Sequence, residues 1–297
     1  MVVENSSVPQ KANQATPLDS KMKFKIIPAP ETLKNDVECI RLAEYTGEER
    51  LAIKVFLNGL PGIVFQHHQG NSPVENITTP SGSNFHIPTL YIYGQMTKPG
   101  VMNHKTEPYT LTQVILKPHA LRTLFGINAS ELTNGMVELN EFSGEDLNSQ
   151  LIEANNEAER ITLLTNFLLD RLEQAKARDK LIEESLRLIH KFTGSITVKY
   201  LLERLYISER QFERRFIQTV GISPRFYIRV KRFNAAIKMM TTGRHERHTD
   251  IAYALNFHDQ SHFIRDVKEL SGITPKGISH IMGDFYHDQG VYFQVKT

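Results

Sequence analysis

A chain of 297 residues, with 17 Gly, 13 Pro and 35 Lys/Arg against 33 Asp/Glu, has an ordinary globular composition and room for two domains. No apolar run reaches the length of a membrane span, no basic-then-apolar leader opens the chain, and the single Cys39 excludes an intrachain disulfide framework. The expected setting is a reducing cytoplasm without membrane association. Charge is unevenly placed: residues 181–297 hold 18 Lys/Arg against 12 Asp/Glu, and residues 1–180 hold 17 against 21. The basic excess therefore lies in the C-terminal part, as a phosphate-binding surface requires.

Residues 1–20 are polar and aperiodic and read as a disordered arm. From Lys23 to Lys117 short β-prone runs (Lys23–Ile27, Ile53–Phe56, Gly62–His67, Leu90–Gln95 and Thr110–Leu116) alternate with clusters of Gly, Pro, Asn and Ser. That pattern predicts a small antiparallel barrel or sandwich, closed by a helical coda at Pro118–Leu124 and Ala129–Leu132. We assign residues 21–155 to one β-rich domain. Residues 157–176 carry the apolar stripe Ile161, Leu164, Leu168, Leu172 and Ala175 of an amphipathic helix. This helix either packs on its own domain or pairs with a second copy. The polar run Ala175–Lys180 reads as a hinge, so that 156–180 form a linker or dimerisation helix.

The C-terminal part contains an internal repeat. Ser208–Pro224 returns, about fifty-one residues later, as Asp259–Pro275: Phe212 falls on Phe263, Arg214 on Arg265, Gly221 on Gly272 and Pro224 on Pro275. Each copy reads as a helix with an apolar seam, stopped by Gly and then Pro. A shorter helix precedes each, opened by Thr197 and by Thr249 as expected N-caps. Asn256 marks a sharp left-handed turn before the second copy. Short helix, tight turn and second helix make a helix-turn-helix, present twice. Between the copies, Arg225–Met240 continues as a long spacer helix whose Phe226, Ile228, Phe233, Ala236, Ile237 and Met240 are placed to pack on both units. Asp284–Thr297 has alternating aromatics and stays unassigned.

These residues resemble the C-terminal DNA-binding domain of the AraC/XylS family of bacterial transcription regulators. Ser208-x-Arg210-x-Phe212-x-Arg214-x-Phe216, Gly221-x-Ser223-Pro224, Arg232-Phe233-x-x-Ala236, Asp250-Ile251-Ala252, Phe257-x-Asp259-Gln260-Ser261-His262-Phe263 and Gly272-x-Thr274-Pro275 carry the resemblance, which covers roughly residues 183–283 and implies a DNA-binding domain at 181–283. Asn256 replaces the family's usual glycine and Val267 its usual phenylalanine. Leu116–Ile127 with Glu131–Thr133 is similar to a segment of the family's sensor domains. The implied fold class is α+β. A β-rich, barrel-like N-terminal domain for sensing or dimerisation is joined to an all-α C-terminal domain with two helix-turn-helix motifs and a long helix between them.

If Phe212 and Phe216 anchor the first repeat helix, Arg210, Gln211, Glu213, Arg214 and Gln218 lie on its open face. Arg donates a bidentate pair to guanine, Gln pairs with adenine and Glu accepts from cytosine, so these are candidate DNA-binding residues. In the second copy they are Gln260, Ser261, His262 and Arg265. Arg215 and Lys268 are expected on phosphate or solvent. Arg229, Lys231, Arg232 and Lys238 are candidates for phosphate contact, with an internal ion pair, as the family pattern suggests, the favoured reading for Arg232. In the N-terminal domain Phe65, His67, His86, Tyr91 and Tyr93 are candidates to line a pocket for a small-molecule effector. His67, His68, His86, His104 and His119 match no metal-ligand spacing, so neither metal nor other cofactor is expected. No hydrolase, phosphate-loop or zinc-protease motif occurs, and no enzyme activity is expected. The alternative is an enzyme or ligand- or metal-carrying β-domain fused to a helix-turn-helix module. Expected partners are double-stranded DNA, RNA polymerase, a small-molecule effector and a second copy in a homodimer.

Overall fold

The structure, a computed structural model, describes residues 21–143, 146–175, 178–242, 247–281, 286–287 and 290–294. The expected arm at 1–20 lies outside them. In chain order the strands are β1 (Met22–Pro28), β2 (Val37–Tyr45), β3 (Leu51–Val55), β4 (Gly62–His67), β5 (Val74–Thr79), β6 (Gly82–Asn84), β7 (Leu90–Tyr93), β8 (Gly100–His104), β9 (Tyr109–Leu116) and β10 (Met136–Glu138), with β11 (Tyr286–His287) and β12 (Gly290–Gln294) near the C-terminus. The helices are α1 (Ala120–Phe125), α2 (Asn140–Ser143), α3 (Asp146–Glu153), α4 (Glu157–Glu173), α5 (Lys180–Lys191), α6 (Val198–Leu205), α7 (Glu209–Val220), α8 (Pro224–Thr241), α9 (His248–Ala254), α10 (Gln260–Ser271) and α11 (Pro275–Ile281). None of the described helices is long and apolar enough to cross a membrane.

The N-terminal strands form two antiparallel sheets, not one closed barrel: β1-β2-β9-β4-β7-β10 and β11-β12-β3-β8-β5-β6. The first sheet is the middle of three layers. One face, with Ile63, Phe65, Leu90, Ile92 and Val114, is covered by α1, α3 and α4. The other, with Val64, Tyr91 and Leu111, meets Val74, Ile77 and Met102 of the second sheet. Leu164 and Leu168 of α4 are buried in the first of these cores, with Ile161 and Leu172 half-buried on it. The α4 seam therefore packs on its own domain.

Strands β2, β5, β6, β8 and β10 were not expected from the sequence. In β2 the missing signal has a physical cause: a strand covered on both faces loses the apolar–polar alternation, and here Glu38, Arg41 and Glu44 interrupt the apolar run as well. Part of the unassigned C-terminal segment is also a strand. β12 pairs with β3, Tyr292 opposite Val55 and Gln294 opposite Ile53, so the chain end returns to the N-terminal sheet.

Two cores organise the C-terminal helices, and α8 contributes to both. Tyr227, Phe226 and Ile228 pack with α5, α6 and α7; Val230, Phe233, Ala236 and Ile237 pack with α9 and α10. Pro224 at the first turn and the Ser223 cap, whose side chain accepts from Phe226 N at 3.3 Å, start this helix anew after Gly221. One expected cap is corrected. Thr197 does cap α6, accepting from Tyr200 N at 3.1 Å, but α9 begins at His248, so Thr249 sits inside its first turn and caps nothing.

Candidate nucleic-acid interface

The two helix-turn-helix units are α6–α7 and α9–α10, and each pivots on one left-handed residue, Tyr206 (φ 51°) or Asn256 (φ 55°). Asn suits that conformation, whereas Tyr206 is a bulky residue holding it with its ring 91% exposed. The second helices start on side-chain caps: Ser208 accepts from Gln211 N at 3.4 Å, and Asp259 from His262 N at 2.7 Å. They end on left-handed Gly221 and Gly272. Phe212 and Phe216 are wholly buried, their rings edge to face at 5.6 Å; Phe263 does the same work in the second unit against Phe257 at 5.3 Å.

With those anchors inward, Arg210, Gln211, Glu213 and Arg214 are exposed on α7, and Gln260, Ser261 and Arg265 on α10. Gln211 is partly engaged, because its Oε1 accepts from the Ser208 hydroxyl at 3.1 Å. Gln218 and His262 are half-buried, and His262 Nε2 lies 3.6 Å from Asp266 Oδ1. Several cations singled out for phosphate are occupied inside the domain. Arg215 binds Asp179 through Nε at 2.9 Å and Nη2 at 2.5 Å. Arg229 holds Asp266 at 2.9 Å and Glu269 at 2.5 Å. Lys231 faces Gly59 of the N-terminal domain, and burial lowers its basicity. Arg232 lies over the Phe257 ring at 4.6 Å with Asp266 3.9 Å away, the internal role expected of it.

The opposite ends of both recognition helices rest on the N-terminal domain. Thr133 Oγ1 donates to Gly221 O at 2.6 Å, and a Cβ on Gly221 would meet Ala129 O at 2.9 Å, so only glycine allows this approach. Gly272 abuts Lys54 and Pro99. Between them, Phe56 and Leu57 of the β3–β4 loop are buried in the second unit's core, Phe56 edge-on to Phe233 at 6.3 Å, and Asn234 Nδ2 donates to Asn58 O at 2.9 Å. The expected hinge is tied on both sides. Arg178 pairs with buried Asp36 and, at 3.0 Å, with Glu183, while Asp179 caps α5 as well as holding Arg215. Burial alone would raise the Asp36 carboxyl, but His119 and Arg178 beside it bring it below the usual carboxylate range.

A helix-turn-helix domain family matches residues 201–279, spanning both units and the spacer helix. With the two paired-helix units in place, the match and the geometry agree. The chain carries a C-terminal helix-turn-helix domain of that family. Residues 25–138 match a second family, described as a domain of unknown function (DUF6597). Among solved structures the chain is similar to ToxT from Vibrio cholerae, at 12% identity over 88% of this chain and 98% of that one with a TM-score of 0.46. It is also similar to unsaturated fatty acid bound ToxT from the same organism, at 14% identity over 88% and 95% with a TM-score of 0.43. The AraC-like transcriptional activator CuxR is similar at 12% identity over 75% and 89%, with a TM-score of 0.22. No curated protein matches.

The candidate effector residues are not brought into one pocket. Phe65 and His67 face the helices: Phe65 is buried with Leu164 and Leu168, its ring 5.1 Å from that of His67. Tyr91 and Tyr93 face the other sheet. Strand period explains the split, because Tyr91 stands opposite Val64, and Phe65 opposite Leu90. His86 is on the surface, 3.3 Å from Glu138. The inter-sheet face instead collects polar groups that the sequence reading passed over. Arg41, Gln66 and Gln113 are all buried there; Gln113 Nε2 donates to Tyr93 OH at 2.9 Å, across a Gly62 whose missing side chain leaves room for the phenol. Neither amide atom of Gln66 has a partner among the described residues. A glutamine inside an apolar strand run was the available signal.

Proposed function

We propose that this protein reads two adjacent major-groove segments of double-stranded DNA, α7 entering one and α10 the other, and that its N-terminal domain holds the two at a set separation. One observation supports this above the others. The N-terminal ends of both recognition helices, which enter the groove in such motifs, are exposed, while their C-terminal ends are docked. Arg210, Glu213 and Arg214 on α7 and Gln260, Ser261 and Arg265 on α10 are the proposed base and backbone contacts, with Gln211, Gln218 and His262 in supporting positions. The reading includes the cytoplasmic setting, a homodimer and contact with RNA polymerase that the family resemblance implies. A small-molecule effector, in this reading, meets the polar face between the sheets around Gln66, Gln113 and Tyr93.

The test is selection of bound sequences from random duplex DNA with the intact protein at moderate salt. Enrichment of one site made of two short elements about one helical turn apart, roughly 34 Å between centres, is the expected result. Enrichment of a single element, or of none, would overturn the tandem reading.

A further inference from the structure

Between the first helix-turn-helix unit and the spacer helix lies an open cleft of about 340 Å³, lined by Thr197 and Lys199 at the start of α6 and by Arg225, Ile228 and Arg232 of α8. Its position is fixed by its walls. Arg225 Nη2 is 3.5 Å from Glu209 at the groove end of α7, and Arg232 Nη1 donates to Asn256 O, in the turn of the second unit, at 3.5 Å. The cleft thus spans the junction of the two units on the side where both recognition helices begin. Three cations converge on it, and no carboxylate lines it. Buried Asp266, 3.9 Å from Arg232 Nη2, partly balances that guanidinium from behind, whereas the anions near the other two compete weakly: Lys199 is 4.0 Å from Glu203 and Arg225 is 3.5 Å from Glu209, both pairs being well exposed. Arg232 Nε, shut off from solvent, has no hydrogen-bond partner among the described residues. The first helix of a helix-turn-helix crosses the DNA backbone, and its opening turn presents unpaired N–H groups to phosphate.

We propose that this cleft is a phosphate subsite for the DNA backbone between the two major-groove segments, with Lys199 and Arg225 as its direct ligands and Arg232 as the fixed charge behind them. The proposal rests on the DNA-reading assignment above and adds to it a sequence-independent contact at the midpoint. A phosphate here takes the Lys199 and Arg225 cations from their exposed carboxylate neighbours. It also marks the register of the duplex without reading a base.

The experiment measures affinity against salt for the intact protein and for Lys199→Gln/Arg225→Gln, on both random duplex and the selected site. Both substitutions are at exposed positions outside the two cores. Arg232 is left alone because it also supports the second unit. The expected result is a log–log salt slope shallower by about 0.9 for each phosphate lost, equally on both DNAs. A second measurement places a neutral methylphosphonate at each backbone position of the selected site in turn. The wild-type protein should lose affinity at one or two linkages between the elements, and the double variant should lose nothing more at those linkages. An unchanged salt slope overturns the subsite, as does a double variant that still loses the full increment. Failure of the DNA-reading assignment is distinguishable, since the wild-type protein then enriches no two-element site, while the random-duplex slopes still report on the cleft.

Discussion

At the scale of single residues, the two arginines that follow one another on α7 have opposite fates. Arg214 is exposed beside Arg210 and Glu213, whereas Arg215 turns back to hold the Asp179 carboxylate through two hydrogen bonds. Arg214→Ala should therefore cost about 1–3 kcal/mol of binding to the selected site and relax preference at one base position, with thermal stability unchanged. Arg215→Ala should do the reverse. It leaves Asp179 without its partner at the junction of the domains, lowering the melting temperature while leaving the base preference intact. Parallel binding and melting curves for the two variants check this; a specificity change in Arg215→Ala would mean that the helix is rotated from the orientation described. The same reasoning separates Gly221 from the other glycines, since its left-handed φ of 95° and the 2.9 Å approach to Ala129 O both forbid a side chain.

At the scale of elements, the two sheets meet over a buried histidine. His104 of β8 stacks on Tyr109 of β9, ring centroids 4.7 Å apart and 13° from parallel, and burial pushes its pKa down to about 4. The unfolded chain takes up the proton near pH 6.5 that the folded sheet refuses until about pH 4. Stability is therefore fully present above pH 6.5 and falls as pH drops through that window, by ~3 kcal/mol from this one residue. His104→Gln should flatten the decline in urea midpoint between pH 7 and pH 4.5; an equally steep decline would place the titration elsewhere. Which elements were readable follows from the same physics of burial. The helix-turn-helix units carried local signals: the repeat itself, its glycine stops and, in the first unit, phenylalanines four residues apart. They were legible to within a residue or two. The strands β1, β3, β4, β7 and β9 were bracketed by turn residues and could be read. β2 could not, because sandwiching on both faces erased its period, and β8 ends on two consecutive polar residues, Asn103 and buried His104, so no apolar–polar alternation runs through it. The candidate effector set failed for a related reason. Parity within each strand was readable, but the register between β4 and β7 was not.

At the scale of the whole molecule, the decisive feature lies in neither domain's sequence alone. The second helix-turn-helix closes its core with Phe56 and Leu57, two residues from a loop about 180 positions earlier, both almost wholly buried among Phe233, Ile237 and Phe263. Nothing in the periodicity of residues 51–60 announces that these side chains belong to a distant core, so the dependence of one domain on the other could not be inferred before the structure. Its consequence is specific. Removing a large buried aromatic costs about 3–5 kcal/mol in a packed core. Here that loss falls on the unit that contains α10 and on the contact that orients it, while α7 keeps its own anchors, Phe212 and Phe216, and its own dock at Thr133. Phe56→Ala in the intact chain should then bind the first DNA element with near-normal affinity and fail to gain from the second. The comparison that shows this is binding to the selected site, to the site with the second element scrambled, and to the site with the elements moved apart by one base pair. The wild-type protein should lose affinity on both altered sites, and Phe56→Ala should bind all three alike. If Phe56→Ala instead keeps the full penalty for the moved element, α10 is held in place by α8 and α9 alone. The N-terminal domain would then be a passenger on the DNA-binding unit rather than the frame that spaces it.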